Sequence, residues 1–166
     1  MNVFLSHSVS ASDAPVAARL RAVAATYDIK LLLPEREHHY RQAKVTAEVR
    51  KQIQSSDAMI ALVTMNALWD QSVAHEIQEA IRAEKPIIAL VESGSGINIS
   101  NLPPENIVYF NRLNPTGHEE SLIAVLNRIR SQINAAQITN ALGWIVGIAL
   151  GLVALNAVAE AIGSDK

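Results

Sequence analysis

The sequence contains no cysteine, few aromatic residues and no large excess of either charge. Without cysteine, disulfides and thiolate-ligated metal sites are excluded, as is usual in a reducing compartment. Lysine and arginine number 14 against 16 aspartates and glutamates, so the formal net charge is −2, and only 4% of the residues are aromatic. With no basic block to neutralise phosphates and few rings to stack on bases, we expect no nucleic acid partner.

Glycine is also scarce until the end of the chain. Three of the seven glycines precede residue 140, and the other four lie in the stretch ALGWIVGIALGLVALNAVAEAIG at 141–163. This stretch has no charged residue between 141 and 159 and is apolar on every face of a helix. Because about 20 such residues span a bilayer, we predict a transmembrane helix over residues 141–162 and a short tail at 163–166.

The glycines of this segment repeat every fourth residue. Gly143, Gly147 and Gly151 leave one flat side on which a second helix can approach closely, so we predict self-association through this face. Basic residues precede the segment more than they follow it, which places the preceding domain in the cytoplasm. We therefore expect a single-pass protein of the inner membrane, in contact with lipid. The alternative is a buried helix in a soluble oligomer, favoured by Asn156 and Glu160, which are costly in lipid.

Five short apolar runs alternate with helical patterns over the rest of the chain. The runs are NVFLS, IKLLL, AMIALVT, PIIALV and IVYF. Because they are nearly continuous, we expect parallel strands with helices on both faces of the sheet. We predict an α/β domain with a doubly wound five-stranded parallel sheet over residues 1–133, and a linker or helix extension at 134–140. Asp13 is expected to cap the first helix, and the last helix to run from Glu119 to about Ile138.

Ligand sites of such sheets lie at the carboxyl ends of the strands. Four loops are predicted to meet at that edge, namely residues 6–8, 34–44, 65–72 and 92–96. Glu76 follows the third loop, in the expected opening turn of its helix. The helix dipole alone favours a carboxylate there, so the position has a structural as well as a catalytic explanation.

Three neighbouring side chains of the first loop are candidates for substrate binding. Ser6 and Ser8 can present hydroxyls to a polar ligand, or can simply satisfy backbone groups of their loop. His7 can reach the same cleft. No metal site is expected, because the histidines form no His-x-x-x-His pair, and the GxGxxG, P-loop and GxSxG patterns are absent.

Taken together, four segments of the chain resemble the TIR domain family. VFLSHSVSASD is similar to the family's first strand and the entry to its first helix, and VRKQIQSSDAMIALVT is similar to its second helix and third strand. SVAHEIQEA looks like the helix that carries the family's glutamate, and KPIIALV like the fourth strand. The resemblance covers residues 1 to about 130 and implies the flavodoxin-like sheet of TIR domains.

The resemblance also implies an activity. In enzymatic members the glutamate that aligns with Glu76 is essential for cleaving NAD+ between nicotinamide and ribose, so NAD+ is the expected substrate and no separate cofactor is expected. This cleavage develops positive charge on the ribose, which a carboxylate can stabilise. The acceptor is water, which gives ADP-ribose, or a nucleophile of the same molecule, which gives a cyclic product. TIR sites are commonly completed by a neighbouring subunit, so we expect activity on assembly.

Four further residues are expected to contact the substrate if the resemblance holds. Arg36 and Lys44 of the 34–44 loop are candidates for binding the phosphates, or are simply solvated. Trp69 is a candidate for stacking on a ring, or packs against its own loop. Ser72 stands four residues before Glu76, where many members carry tryptophan.

Resemblance to bacterial defence proteins with this arrangement implies a role in immunity against phage, through NAD depletion or a nucleotide signal. Three alternatives stay open. A non-catalytic TIR scaffold that assembles signalling partners is favoured by Ser72 and by the lack of glycine in residues 34–44. An enzyme of related fold would transfer ribosyl groups between nucleosides. A membrane-disrupting effector gated by the TIR domain would place the main activity in the apolar tail.

Overall fold

The structure, a computed structural model, describes residues 1–8, 10–34, 45–68, 71–97, 99 and 102–139. Strands and helices alternate along these residues. The strands are β1 (Asn2–Ser6), β2 (Lys30–Leu32), β3 (Ala58–Val63), β4 (Ile87–Glu92) and β5 (Ile107–Phe110). The helices are α1 (Ala14–Ala25), α2 (Ala47–Ser55), α3 (Gln71–Arg82) and α4 (Pro115–Thr139), with short 3-10 turns at Met65–Leu68 and Pro104–Asn106.

The five strands form one parallel sheet in the order β2-β1-β3-β4-β5. This order confirms the predicted doubly wound, flavodoxin-like sheet. The chain first adds β2 on one side of β1 and then crosses to add β3 on the other, where Ser6 of β1 is level with Ala61 of β3. The order therefore reverses between β1 and β3, which is where ligands bind in sheets of this type.

Each strand divides its side chains between two cores. Val3, Leu5 and Ile60 are among the residues that pack on the side of α1 and α4. Phe4 and Met59 belong to the opposite core, against α2 and α3. This alternation follows from the two-residue period of a strand. It explains the continuous apolar runs, because both faces of the sheet are buried, and it also sets which way a polar residue at a strand end points.

Two helix boundaries differ from those predicted. The helix of Glu76 begins at Gln71, so Glu76 lies in its second turn and the dipole explanation for an opening-turn carboxylate does not apply. The last helix begins at Pro115 rather than Glu119 and continues to Thr139. Asp13 does precede α1 directly, but its side chain makes no capping bond, so the predicted cap is wrong. Its carboxylate accepts hydrogen bonds from other side chains instead.

The open edge of β5 is covered by side chains from α4. The carbonyl of Phe110 accepts from the backbone N–H of Ser93, which follows β4. The neighbouring Tyr109 carbonyl therefore points in the opposite direction, away from β4 and toward the open edge. That carbonyl accepts from the Ser121 hydroxyl at 2.9 Å, and the Ile107 carbonyl accepts from the Arg128 guanidinium at 2.7 Å. An incoming strand would have to displace both side chains to pair with this edge.

Across the residues that the structure describes, no helix is both long and apolar enough to cross a membrane. The predicted transmembrane helix at 141–162, its glycine face at Gly143, Gly147 and Gly151, and the tail at 163–166 all lie outside those residues.

The turns that follow α1 and α3 each contain an acidic residue in a backbone conformation that favours glycine. Asp28 has φ of 56° and Glu84 has φ of 53°. At each position the next N–H bonds back to the last helical turn, from Ile29 to Ala24 at 3.0 Å and from Lys85 to Ala80 at 2.9 Å. This left-handed closure is the usual way to satisfy the last carbonyls of a helix, and its cost for a side chain with a Cβ is about 1 kcal/mol.

We expect Glu84→Gly to raise the free energy of unfolding by about 1 kcal/mol, because glycine adopts positive φ without steric cost. Urea unfolding followed by circular dichroism measures the change. Glu84→Ala is the matched control, since it removes the same carboxylate but keeps the Cβ. Equal stability of the glycine and alanine variants would contradict the explanation.

Candidate functional site

Glu76 is a buried carboxylate at the carboxyl end of the sheet. The exposed residues of α3 face solvent, while Val73, Glu76, Ile77 and Ala80 form its buried face, spaced as helix geometry requires. Glu76 is only 2% exposed. It is the ionisable member of an otherwise apolar face, so its position needs polar compensation from a neighbour.

That compensation includes Ser6, the last residue of β1. The Ser6 hydroxyl donates to Oε2 of Glu76 at 2.6 Å, and both groups are buried. Ser6 continues the alternation of Phe4, so its side chain points toward α2 and α3. The pair therefore stands at the end of β1, beside the point where the strand order reverses.

The turn of residues 6–8 carries a second serine–carboxylate pair. The Ser8 hydroxyl donates to Oδ2 of the Asp13 carboxylate, and the backbone N–H of Ser10 donates to the Ser8 hydroxyl at 3.3 Å. Between the two serines, Nδ1 of His7 lies 2.7 Å from the Ser8 carbonyl. Since a carbonyl only accepts, His7 carries a proton on Nδ1. The 6–8 turn is thus fixed to one carboxylate at each end.

Asp13 is fully buried and accepts from four side chains. Besides Ser8, its carboxylate accepts from Thr64 at 2.7 Å, from Asn66 at 3.2 Å and from Arg112 at 2.9 Å. Burial alone would raise the pKa of the Asp13 carboxyl, but these four hydrogen bonds favour the charged form and together hold its pKa below the ordinary value.

Arg112 extends this network to the ends of β4 and β5. It follows β5 and also binds the Glu92 carboxylate through two nitrogens, one of them at 2.9 Å, and the Ser12 carbonyl at 2.9 Å. Hydrogen bonding to Glu92, and then to Asp13, raises the pKa of the guanidinium above its ordinary value against the opposing effect of burial. One guanidinium therefore joins the carboxyl ends of β4 and β5 to the start of α1.

The chemical group that this site presents is a buried carboxylate. Among the residues that the structure describes, no three His, Asp or Glu side chains are grouped so as to hold a metal ion. An ionised carboxylate at this buried position acts on a developing cation more strongly than the same group in water.

Comparison with known proteins decides the family. A family model described as TIR domain matches residues 3–136. The chain belongs to the TIR domain family. This confirms the resemblance that four sequence segments indicated.

No curated protein matches the chain. Among solved structures, the chain is similar to the TIR domains of the activated Roq1 resistosome, which directly recognises the pathogen effector XopQ. The identity is 10%, the alignment covers 98% of this chain and 97% of that one, and the TM-score is 0.49.

The TIR domain brings some of the predicted site residues together. Ser6 and Glu76 are in direct contact, and His7 and Ser8 follow Ser6 in the same turn. Ser72 lies in the first turn of α3, half-buried and four residues before Glu76. The remaining predicted contacts, Arg36, Lys44 and Trp69, lie outside the residues that the structure describes.

Sequence reasoning missed the Asp13 network at this edge of the TIR domain. Thr64 directly follows β3 and Arg112 follows β5, so their place at strand ends was a usable signal. Asp13 instead had the appearance of an ordinary helix cap. Its partner Arg112 is 99 positions away, and no spacing pattern reports a contact over that separation.

We expect Asp13→Asn to lower the free energy of unfolding by about 2 to 4 kcal/mol at pH 7. The substitution removes the buried negative charge that pairs with Arg112 and that accepts hydrogen bonds from two hydroxyls. The pKa is lower in the folded than in the unfolded chain, where it is about 4. The stabilisation is therefore complete above pH 4 and is lost as the pH falls through the folded value.

Urea unfolding at several pH values from 7 to 3 tests this. The difference between wild type and Asp13→Asn should narrow toward pH 3. Glu119→Gln is a control, since it breaks the exposed Arg19–Glu119 pair and should cost less than about 1 kcal/mol. An Asp13→Asn effect no larger than this control would refute the role given to the network.

Proposed function

We propose that this TIR protein cleaves NAD+ between nicotinamide and ribose, with Glu76 as the catalytic carboxylate. The observation that carries the proposal is the placement of Glu76, buried and bound by Ser6 at the carboxyl edge of the sheet, beside the β1/β3 switch point. Membership of the TIR family supports it, because the family's enzymatic members use a glutamate in the same sequence context.

The reaction requires little more than a negative charge close to the ribose. The C–N bond between ribose and nicotinamide breaks with its electron pair going to nicotinamide, which leaves as a neutral molecule and needs no acid. Positive charge develops on the ribose, and the Glu76 carboxylate stabilises it or orients the ribose hydroxyls. Water then adds and loses a proton to give ADP-ribose, or an internal nucleophile closes a cyclic product.

The near-complete burial of Glu76 supports activity that depends on assembly. At 2% exposure the carboxylate meets almost no solvent in a single chain, so a substrate reaches it only after neighbouring segments move. We propose that contacts between TIR domains open or complete the site. His7 and Ser72 remain proposed substrate contacts from the described residues, as do Arg36, Lys44 and Trp69 from the others. Ser8 is buried and donates its hydroxyl proton to Asp13, so we propose that it supports the turn and does not contact the substrate.

The apolar segment at 141–162 supplies a proposed anchor. It would hold the TIR domain on the cytoplasmic side of the inner membrane, where NAD+ is available, with the Gly143, Gly147 and Gly151 face joining two anchors. Confinement to a membrane raises the effective concentration of the attached domains and so favours their assembly. In this setting we propose a role in defence against phage, through NAD depletion or a nucleotide signal.

Glu76→Gln should abolish NAD+ consumption by the full-length chain in lipid, with a loss of at least about 100-fold in rate, because the amide keeps the shape but not the charge. The measurement is NAD+ loss with products separated by chromatography, which also distinguishes ADP-ribose from a cyclic product. Glu79→Gln is the matched control on the same helix; it removes the partner of Arg50 and Arg82 and should retain turnover.

A TIR scaffold without catalysis is the second candidate. The burial of Glu76 favours it as well, since an internal hydrogen bond can by itself explain a carboxylate at this position. Under the scaffold, wild type consumes no NAD+ even when the chains are clustered, and Glu76→Gln still assembles. NAD+ consumption that persists in Glu76→Gln would show that the protein is an enzyme in which Glu76 is not the catalytic residue.

The full chain should sediment with membranes and resist extraction at alkaline pH, because an apolar helix of about 20 residues is held by the bilayer core. Protease added outside intact cells should leave the TIR domain undigested. Release into the supernatant at alkaline pH would reject the anchor, and digestion from outside would reverse the assigned orientation.

A further inference from the structure

We infer that Ser6 is a positioning residue that holds Glu76, and does not contact the substrate itself. This rests on the proposed cleavage of NAD+ at Glu76. It assigns Ser6 a different role from the substrate contact that the sequence indicates. The distinction matters because a residue that acts through Glu76 changes the rate of the chemical step, whereas a substrate contact changes affinity.

The first support is the direction of the Ser6 hydroxyl. Ser6 has no exposed surface, and its hydroxyl donates its one proton to Oε2 of Glu76 at 2.6 Å. A donor committed to a carboxylate cannot also donate to a substrate. Because both groups are buried, the hydrogen bond is electrostatically stronger than the same contact in water.

The second support is that the backbone is held in place both at Ser6 and two residues after it. Ser6 itself ends β1 and is level with Ala61 of β3. Two residues later, the Ser8 hydroxyl binds the Asp13 carboxylate, which Arg112 holds in turn. The oxygen is therefore carried on a strand whose continuation is also tied down, and such rigid supports are what keep a reacting group within about 0.5 Å of its productive place.

The third support is what the contact does to Glu76. A glutamate side chain has three rotatable bonds before its carboxylate, and the helix backbone alone does not fix the plane of the two oxygens. A donor that engages Oε2 selects one orientation of that plane. Removing it takes away this hydrogen bond and, with it, one restraint on the orientation of the carboxylate.

Ser6→Ala should therefore lower kcat about 10- to 100-fold while KM changes less than about 2-fold. The assay uses the full-length chain in lipid with NAD+. Ser56→Ala is the matched control: Ser56 is also buried, and its hydroxyl donates to the Ile53 carbonyl at 2.7 Å at the opposite end of the sheet. It should leave both constants near those of wild type.

A readout that does not depend on turnover accompanies the kinetics. In protein labelled with 13C at glutamate carboxyls, the Glu76 resonance is assigned by its loss in Glu76→Gln. That resonance should shift in Ser6→Ala, because the carboxylate loses a hydrogen bond, and should stay in place in Ser56→Ala. An unmoved resonance in Ser6→Ala would overturn the inference.

The kinetic outcomes separate the inference from the function on which it rests. A raised KM with unchanged kcat in Ser6→Ala would make Ser6 a substrate contact, and unchanged constants would leave it no role in turnover; either result overturns the inference alone. If wild type consumes no NAD+, the proposed function fails and the inference falls with it. A drop in kcat confined to Ser6→Ala, together with the shifted resonance, supports both.

Discussion

The hydrogen bonds that two serines donate to two buried carboxylates organise the functional end of this domain. Ser6 holds Glu76 on the side of α2 and α3, and Ser8 holds Asp13 at the start of α1 on the other side. The two serines are separated by a single residue in the turn that follows β1. β1 ends at Ser6, so Ser8 is not bound by the alternation of the strand, and the turn between them lets one short segment donate to a carboxylate on α3 and to another at the start of α1.

Burial affects the two carboxylates differently. Asp13 is surrounded by hydroxyl, amide and guanidinium donors, and these outweigh the desolvation that would otherwise neutralise it. Glu76 lies on an apolar helix face, with the serine at the end of a strand as its neighbour. The charge of Asp13 is largely met by Arg112.

Much of the fold could be predicted from sequence because it is governed by local pattern. Continuous apolar runs such as AMIALVT indicated buried parallel strands, and the structure places all five in one sheet. The start of the Glu76 helix could not be fixed in this way, since the 3-10 turn at Met65–Leu68 has no sharp sequence signal. The mistaken cap at Asp13 has another cause. Aspartate is favoured both at the start of helices and in buried ion pairs. Here its carboxylate pairs with Arg112, which is distant in the sequence.

The same limit applies to the site. Glu76 could be singled out by its sequence context, but the partner that defines its surroundings lies 70 positions earlier in the chain. Ser6 looked like a residue that offers its hydroxyl to a ligand, because serines in loops after strands commonly do. In the structure it ends β1, as the run NVFLS predicted, and its hydroxyl donates to Glu76.

The covering of the β5 edge by Ser121 and Arg128 has a consequence for solubility. Domains that gather at high local density risk irreversible strand-on-strand aggregation wherever bare backbone is presented. Here the carbonyls of one outer strand are already occupied by side chains of the same molecule. A strand of another copy could pair with these two carbonyls only after displacing both side chains, which slows aggregation of that kind.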